Sequence, residues 1–354
     1  GVDLLGNQSP PETISVRMPN YALVGPLETG IPSLIRPPSA IHTADFNADG
    51  LIDILELSDD ANAPSRCLTQ RPDSSFEVQS AEACGLPELS GYQCSKIADF
   101  DGDGHLDLLY FSSTASEILF GAANGSFTSD NVDIVVDQSI TGCEVIDIDR
   151  DGRLDVVALA DGTVYVLFAD ESLDFQLEDP ALLFLDTLST YENLMAVDLN
   201  DDGFTDLIGY GGVGMTILTS SVGGAFEELT VVGELPHTGA HERDVVVMDA
   251  DSDGAFEVIL LGQTTKLFKR IAHNGQPPAF EKQVGAVSTF ANQFTAKRAD
   301  VNGDGRDDYL AFGAFGVKIV ANFGTELSQI DGAPLGLSGL GNVVLAEIVD
   351  LDGD

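Results

Sequence analysis

The sequence predicts an all-β fold, a single seven-bladed β-propeller of four-stranded antiparallel blades spanning residues 1–354. Three observations lead there. A nine-residue acidic motif recurs with its first residue at positions 45, 99, 147, 198, 249, 300 and 350. The steps between those positions lie between 48 and 54 residues, a period that suits one unit of four short strands. Each complete copy is flanked by brief β-branched runs bounded by Gly and Asp, with no helical periodicity.

The repeats can be followed strand by strand. Ahead of the motif stand runs such as Val145-Ile146, Met195-Ala196-Val197 and Val245 to Met248. Behind it stand Leu108-Leu109-Tyr110, Val156 to Leu159 and Val258 to Leu261. A third run follows a Gly-rich turn, as in Glu117 to Phe120, Val164 to Phe168, Met215 to Leu218 and Val317 to Val320. A fourth, weaker run carries a Phe after a turn, at Gly125-Ser126-Phe127 and Gly224-Ala225-Phe226. A four-stranded sheet alone cannot bury both faces, so such units must pack against one another around an axis. The copy beginning at Asp350 is truncated, while residues 1–40 hold strand-like runs at 2–5, 13–16 and 21–24. Residues 1–40 are expected to complete a seventh blade with residues 345–354; the rival reading is a longer array trimmed at both ends.

Apolar residues make up 44%, enough for a core, yet 16 Lys plus Arg against 58 Asp plus Glu leave a formal charge of −42. A field of that sign repels phosphate backbones and anionic lipid, so nucleic-acid and membrane-surface partners are not expected. No stretch approaches the roughly eighteen apolar residues of a membrane span. The chain opens without a basic-then-apolar leader, so a mature extracellular segment is expected, part of a larger polypeptide or assembly. Cys67, Cys84, Cys94 and Cys143 allow three pairings and lack the Cys-x-x-Cys spacing of zinc or redox sites. Cys67 and Cys84 flank a hairpin-like stretch that a bridge would close. Cys94 and Cys143 stand five and four residues before equivalent motif starts of consecutive repeats. That one-residue offset turns strand side chains to opposite faces and weakens the second pairing. Disulfides and buried free thiols both fit.

The nine positions of the motif suit a hard divalent cation. Calcium takes six to eight oxygen ligands at about 2.3–2.6 Å. Positions 1, 3 and 5 supply carboxylate or amide oxygens from Asp45, Asn47 and Asp49; Asp99, Asp101 and Asp103; Asp147, Asp149 and Asp151; and Asp198, Asn200 and Asp202. The remaining copies supply Asp249, Asp251 and Asp253; Asp300, Asn302 and Asp304; and Asp350, Asp352 and Asp354. Position 6 is Gly in every complete copy, permitting a positive φ where the chain reverses. Position 7 varies freely (Leu51, His105, Arg153, Phe204, Ala255, Arg306), as suits a backbone carbonyl ligand whose side chain turns away. Position 9 closes the shell with Asp53, Asp107, Asp155, Asp206, Glu257 or Asp308. An EF-hand shares the start of this pattern but requires flanking helices, where strand-like runs stand here. Structural Asp-Gly turns would not need acids at 1, 3, 5 and 9 together, and magnesium prefers strict octahedra with waters retained. Six to seven Ca2+ sites are therefore expected. At a free concentration about tenfold above its Kd, each would add roughly 1.4 kcal/mol. Together they reach the order of 10 kcal/mol, comparable with a domain's stability of about 5–15 kcal/mol.

These residues resemble the FG-GAP/VCBS repeats of integrin α-subunit propellers and of many secreted bacterial proteins. The Asp-x-[Asp/Asn]-x-Asp-Gly-x-x-[Asp/Glu] loop carries the likeness, supported by Phe120-Gly121-Ala122, Phe312-Gly313-Ala314 and the tract Ile118 to Phe127. The resemblance implies that the loop joins the first and second strands of a blade and binds calcium on one rim. It further implies an adhesion, recognition or scaffold role, with the opposite rim free for partners. Loops in nearly every repeat look more like the bacterial or lectin-like members than the integrins.

An enzyme is not expected. No Gly-x-Ser-x-Gly elbow, phosphate-cradling loop or Cys/His pair is present. His237 and His241 are four apart, but Pro236, Thr238 and Gly239 make their surroundings a loop rather than a helical zinc site. The third residue before the motif is charged at Lys96, Glu144, Lys297 and Glu347, with His42 equivalent, and would face a central channel. The expected function is a calcium-stabilised extracellular binding, adhesion or scaffold propeller that presents loops to a protein partner. The alternatives are a lectin-like, glycan-binding propeller and an accessory domain of a larger secreted enzyme. The absence of Trp counts against the lectin, with Tyr92, Tyr191 and Tyr210 as its possible stacking platforms.

Overall fold

The computed structural model describes residues 39–330, apart from short internal stretches of which 233–243 and 284–292 are the longest. Each motif copy in that span joins two antiparallel strands, and two further strands complete the sheet. Blade 1 consists of Ala40–Ala44, Asp53–Asp60, Ala63–Gln70 and Phe76–Ser80, hydrogen-bonded in sequence order. Blades 2, 3, 4 and 6 repeat that meander from first strands Tyr92–Ala98, Ile140–Ile146, Asn193–Val197 and Gln293–Ala299. Blade 5 begins at Asp244–Met248 and gains a fifth strand. Val231–Val232, continuing from blade 4, pairs parallel with its outermost strand Gln276–Gln283.

Among the described residues the blades number six, which corrects the expected seven. A motif copy organises a sheet where three strands follow its first one, as happens after each of the six complete copies. The pieces of the expected seventh blade, residues 1–38 and 345–354 with Asp350, Asp352, Asp354 and Glu347, lie outside the described residues. Ala40 belongs to the first strand of blade 1.

Side-chain alternation along the second strands builds the core. Counted from the first acid of each motif, positions 11 and 13 face the following blade, whereas 10 and 12 face the preceding one. Leu55 and Leu57 of blade 1 pack with Leu108 and Tyr110 of blade 2. Leu109 and Phe111 then meet Val156 and Ala158 of blade 3. Val157 and Leu159 meet Leu207 of blade 4, and Ile208 and Tyr210 meet Val258 and Leu260 of blade 5. Ile259 and Leu261 meet Tyr309 and Ala311 of blade 6. Covered on both sides, these strands read as continuous apolar runs rather than as polar–apolar alternation.

The first strands lie against one another around the axis, blade 2 beside blade 3, blade 3 beside blade 4 and blade 5 beside blade 6. Two of the charged residues expected there meet: Lys96 Nζ is 2.7 Å from Glu144 Oε1. His42 Nε2 lies 2.6 Å from Ser95 Oγ. Burial, then Lys96 and Lys297, push the His42 pKa down to about 4, so its imidazole is neutral near pH 7. The influence of Lys297 also brings blade 6 within electrostatic reach of blade 1.

Both cysteine pairs form disulfides, with Cα–Cα separations of 6.4 Å for Cys67–Cys84 and 6.2 Å for Cys94–Cys143. The first fastens the third strand of blade 1 to the 3-10 turn Glu82–Cys84. The second links the first strands of blades 2 and 3. Its one-residue offset, unfavourable on the sequence reading, is what such a bridge requires. Equivalent residues of neighbouring blades point the same way around the ring, so facing side chains come from adjacent positions. Two disulfides mark an oxidising environment.

Loop-closure entropy ranks the two bridges. Replacing Cys94 and Cys143 together by Ser, with their separation of 49, is expected to cost about 4 kcal/mol. The Cys67 and Cys84 double replacement, with a separation of 17, is expected to cost about 3 kcal/mol. Denaturant unfolding of both double variants checks the values and their order.

Candidate metal centres

All six described loops share one hydrogen-bond pattern. The position-1 carboxylate accepts with one oxygen from the N–H of position 5 and with the other from the glycine N–H at position 6. For Asp45 these bonds are 3.0 and 2.8 Å, and for Asp147 they are 3.1 and 3.0 Å. Position 5 accepts from the N–H of position 7 at 2.8–2.9 Å in every loop. In loops 1 to 4 position 3 also accepts from position 5, whether it is Asp or Asn, at 2.9 Å for Asn47 and 3.0 Å for Asp101. These Asx turns wind the backbone around the acids, and each carboxylate oxygen keeps lone pairs to spare.

The glycine at position 6 has φ between 83° and 89°, and a Cβ built there meets nothing within 4 Å. Backbone conformation rather than crowding selects it. Position 4 is also left-handed, which the sequence reading missed: Ala48, Arg150, Asp201 and Ser252 have φ of 57–64°. Gly102 takes the same place in the second loop at 75°.

Position 9 does more than the sequence suggested. Its side chain is 0–4% exposed in all six loops. One oxygen accepts from the N–H of position 2, at 2.7 Å for Asp107 with Phe100 and 2.8 Å for Asp155 with Ile148. In five blades the other oxygen accepts from the far end of the third strand, through Gln70, Gly121, Ala169, Ser220 or Asn322, at 2.7–3.0 Å. The residue therefore staples loop, second strand and third strand together. A signal for this was present in the apolar residue at position 2 of every complete copy. Phe46, Phe100, Ile148, Leu199, Ala250 and Val301 are all buried under the loop. Burial, reinforced by neighbouring loop acids, raises the pKa of Asp53, Asp107, Asp155, Asp206 and Asp308 to about 6 and that of Glu257 to about 7. A bound cation would favour the ionised form of each.

The donor set fits such a cation. Carboxylate oxygens of Asp99, Asp101 and Asp107 lie within 4.8 Å of one another, as do those of Asp147, Asp149 and Asp155 and of Asp249, Asp251 and Glu257. Two oxygens on one calcium ion stand at most about 4.6–5.2 Å apart, twice the bond length, so one ion can touch all three. The structure thus joins positions 1, 3 and 9 through acids in loops 2, 3 and 5. In loops 1 and 4 the third donor is the amide of Asn47 or Asn200, while Asn302 of loop 6 lies outside the described residues. In loop 5, Asp251 Oδ1 and Glu257 Oε1 are buried without a hydrogen-bond partner, acceptors left for a cation.

Position 7 offers side chains with other tasks. Arg153 pairs with Asp151, and Arg306 with Asp304 at 2.9 Å. Phe204 carries the guanidinium of Arg150, from position 4 of the preceding loop, 3.5 Å above its ring and so links loops 3 and 4. Tyr92 bonds Ser95 at 2.9 Å, Tyr191 packs against the core between blades 3 and 4, and Tyr210 is buried, so all three expected stacking platforms are engaged in the fold. His237 and His241 lie outside the described residues.

Residues 99–158, from the second loop to the second strand of blade 3, match the family model described as FG-GAP-like repeat. The chain carries an FG-GAP-like repeat on a β-propeller. The matched span contains two of the acidic triads, so the FG-GAP-like segment and the candidate metal centres coincide. No curated protein matches the chain in sequence. Among solved structures, an Agrocybe aegerita lectin that recognises non-reducing terminal N-acetylglucosamine is similar at a TM-score of 0.62 and 16% identity, over 90% of this chain and 87% of its own. A Lactobacillus plantarum protein is similar at a TM-score of 0.56 and 9% identity, over 83% of this chain and 84% of its own. At these identities the likeness is one of fold.

The staple and ligand roles separate by mutation. Asp107→Ala leaves the buried N–H groups of Phe100 and Gly121 without acceptors and is expected to cost about 2–5 kcal/mol even in chelator. Asp101→Asn, at an exposed donor, is expected to change the chelated protein by less than about 0.5 kcal/mol while reducing the stabilisation by calcium. Unfolding curves in chelator and in excess calcium distinguish the two. Equal losses in chelator would remove the staple role.

Proposed function

We propose that this chain is a non-enzymatic, calcium-stabilised extracellular propeller that presents its loops to a partner in binding, adhesion or scaffolding. The observation that carries this reading is repetition. The position-1 and position-5 bond recurs at 3.0–3.2 Å in all six described loops, each between the first and second strand of a blade. A reaction centre needs one asymmetric arrangement, whereas an ion holding two strands is needed once per blade. One Ca2+ per loop, six to seven in all, suits these donors, and binding to the folded state alone stabilises it by mass action. Two disulfides together with loops suited to millimolar calcium favour an extracellular setting. The formal charge of −42 favours a protein or glycan partner over nucleic acid or anionic membrane.

A glycan is the second reading, favoured by the likeness in fold to the N-acetylglucosamine-recognising lectin. Melting in excess calcium and in chelator tests the first reading. Chelation is expected to lower the Tm by about 10 °C or more. An unshifted melt would sink the calcium role. A glycan array probed with the calcium-loaded protein separates the partners, since binding to one sugar class supports the lectin and a blank array supports a protein.

A further inference from the structure

The fifth loop differs from the others in three linked ways. Its position 9 is Glu257, whose Oε2 accepts from Ala250 N–H at 2.8 Å while Oε1 has no partner, although the residue is only 1% exposed. Its position-3 acid, Asp251, likewise keeps Oδ1 buried and unpartnered. A basic side chain from the third strand enters the loop. Lys269 Nζ bonds Asp251 Oδ2 and lies 2.9 Å from Asp253 Oδ2.

Strand register shows how particular that lysine is. Lys269 follows Phe268, which pairs with Val258. The same place is held by Thr69, Phe120, Phe168, Thr219 and Ala321 in the other blades. None of those carries a charge. In the fifth loop an ammonium group therefore sits on two of the acids that a divalent ion would need. Asp249, Asp251 and Glu257 still offer oxygens within 4.8 Å of one another.

We infer that Lys269 is a tethered counter-cation that holds the fifth loop in reserve, occupying Asp251 and Asp253 until a divalent ion displaces it. This rests on the calcium reading above. The loop keeps its shape without metal because the ammonium offsets the repulsion among its acids. It fills last because binding requires the lysine to leave. Once displaced, Lys269 swings to solvent, and the unpartnered oxygens of Asp251 and Glu257 complete the shell.

Calcium titration calorimetry on the full chain, wild type against Lys269→Thr and Lys269→Met, tests the inference. Thr is the residue that blade 4 uses at this place, and Met keeps the apolar stem. The variants are expected to convert one weak site into one about tenfold tighter. In chelator they should melt below wild type. A second measurement uses wild type alone: acylation of Lys269 by acetic anhydride, followed by mass spectrometry, should accelerate when calcium is added. Isotherms that superimpose in proteins that bind calcium elsewhere, or Lys269 acylation indifferent to calcium, overturn this inference alone. If neither wild type nor variant takes up calcium, the reading beneath it falls as well.

Discussion

In each blade a buried carboxylate at position 9 grips the backbone of the loop before it, and in five blades it also grips the end of the third strand. Asp107, for example, reaches back seven residues to Phe100 and forward fourteen to Gly121. Its charge is withdrawn from water, which is costly unless the charge is compensated. Two N–H groups supply part of that compensation, and burial still raises the carboxyl's pKa. The acids at positions 1 and 3 face the same point, where they add to the negative potential. A divalent ion there would relieve the burial of one carboxylate and the crowding of the others together. The apolar residue at position 2 completes the device by anchoring the loop in the core beneath.

Sheet alternation converts these separate blades into a ring. A second strand presents positions 10 and 12 to one neighbour and positions 11 and 13 to the other, so each of the five interfaces from blade 1 to blade 6 joins opposite parities. Leu109 and Val156 meet for this reason, and Cys94 reaches Cys143 rather than the residue equivalent to itself. Around the axis the geometry is polar instead. Lys96 meets Glu144, and His42 stays neutral against Ser95.

The blades share a backbone plan but not an electrostatic one. Arg153 and Arg306 answer an acid of their own loops, Arg150 leans across to Phe204 of the next, and Lys269 enters its loop from the third strand. With 16 basic residues against 58 acidic ones, cations placed at the loops are conspicuous points of compensation. They grade loops that the motif alone would make equivalent. Blade 5 departs furthest, with a Glu at position 9, a lysine in the loop and a parallel edge strand from blade 4.

The sequence by itself determined the repeat, the strands around it, the φ demanded of the glycine at position 6 and the acids of the loops. All of these are local, set by spacing of a few residues and by what one residue type permits. It also held, unread, the buried role of position 2, because an apolar residue inside an acidic loop has meaning only once the following blade packs against it, as blade 2 does on Phe46. Tertiary structure alone decided how the described strands group into six blades, since a strand-like run becomes part of a blade only by finding edges to pair with. The parity rule that permits Cys94–Cys143, the staple from Asp107 to Gly121 and the reach of Lys269 into the fifth loop were likewise decided by packing. Each joins residues that are neighbours only after strands have stacked, a relation that spacing along one chain does not encode.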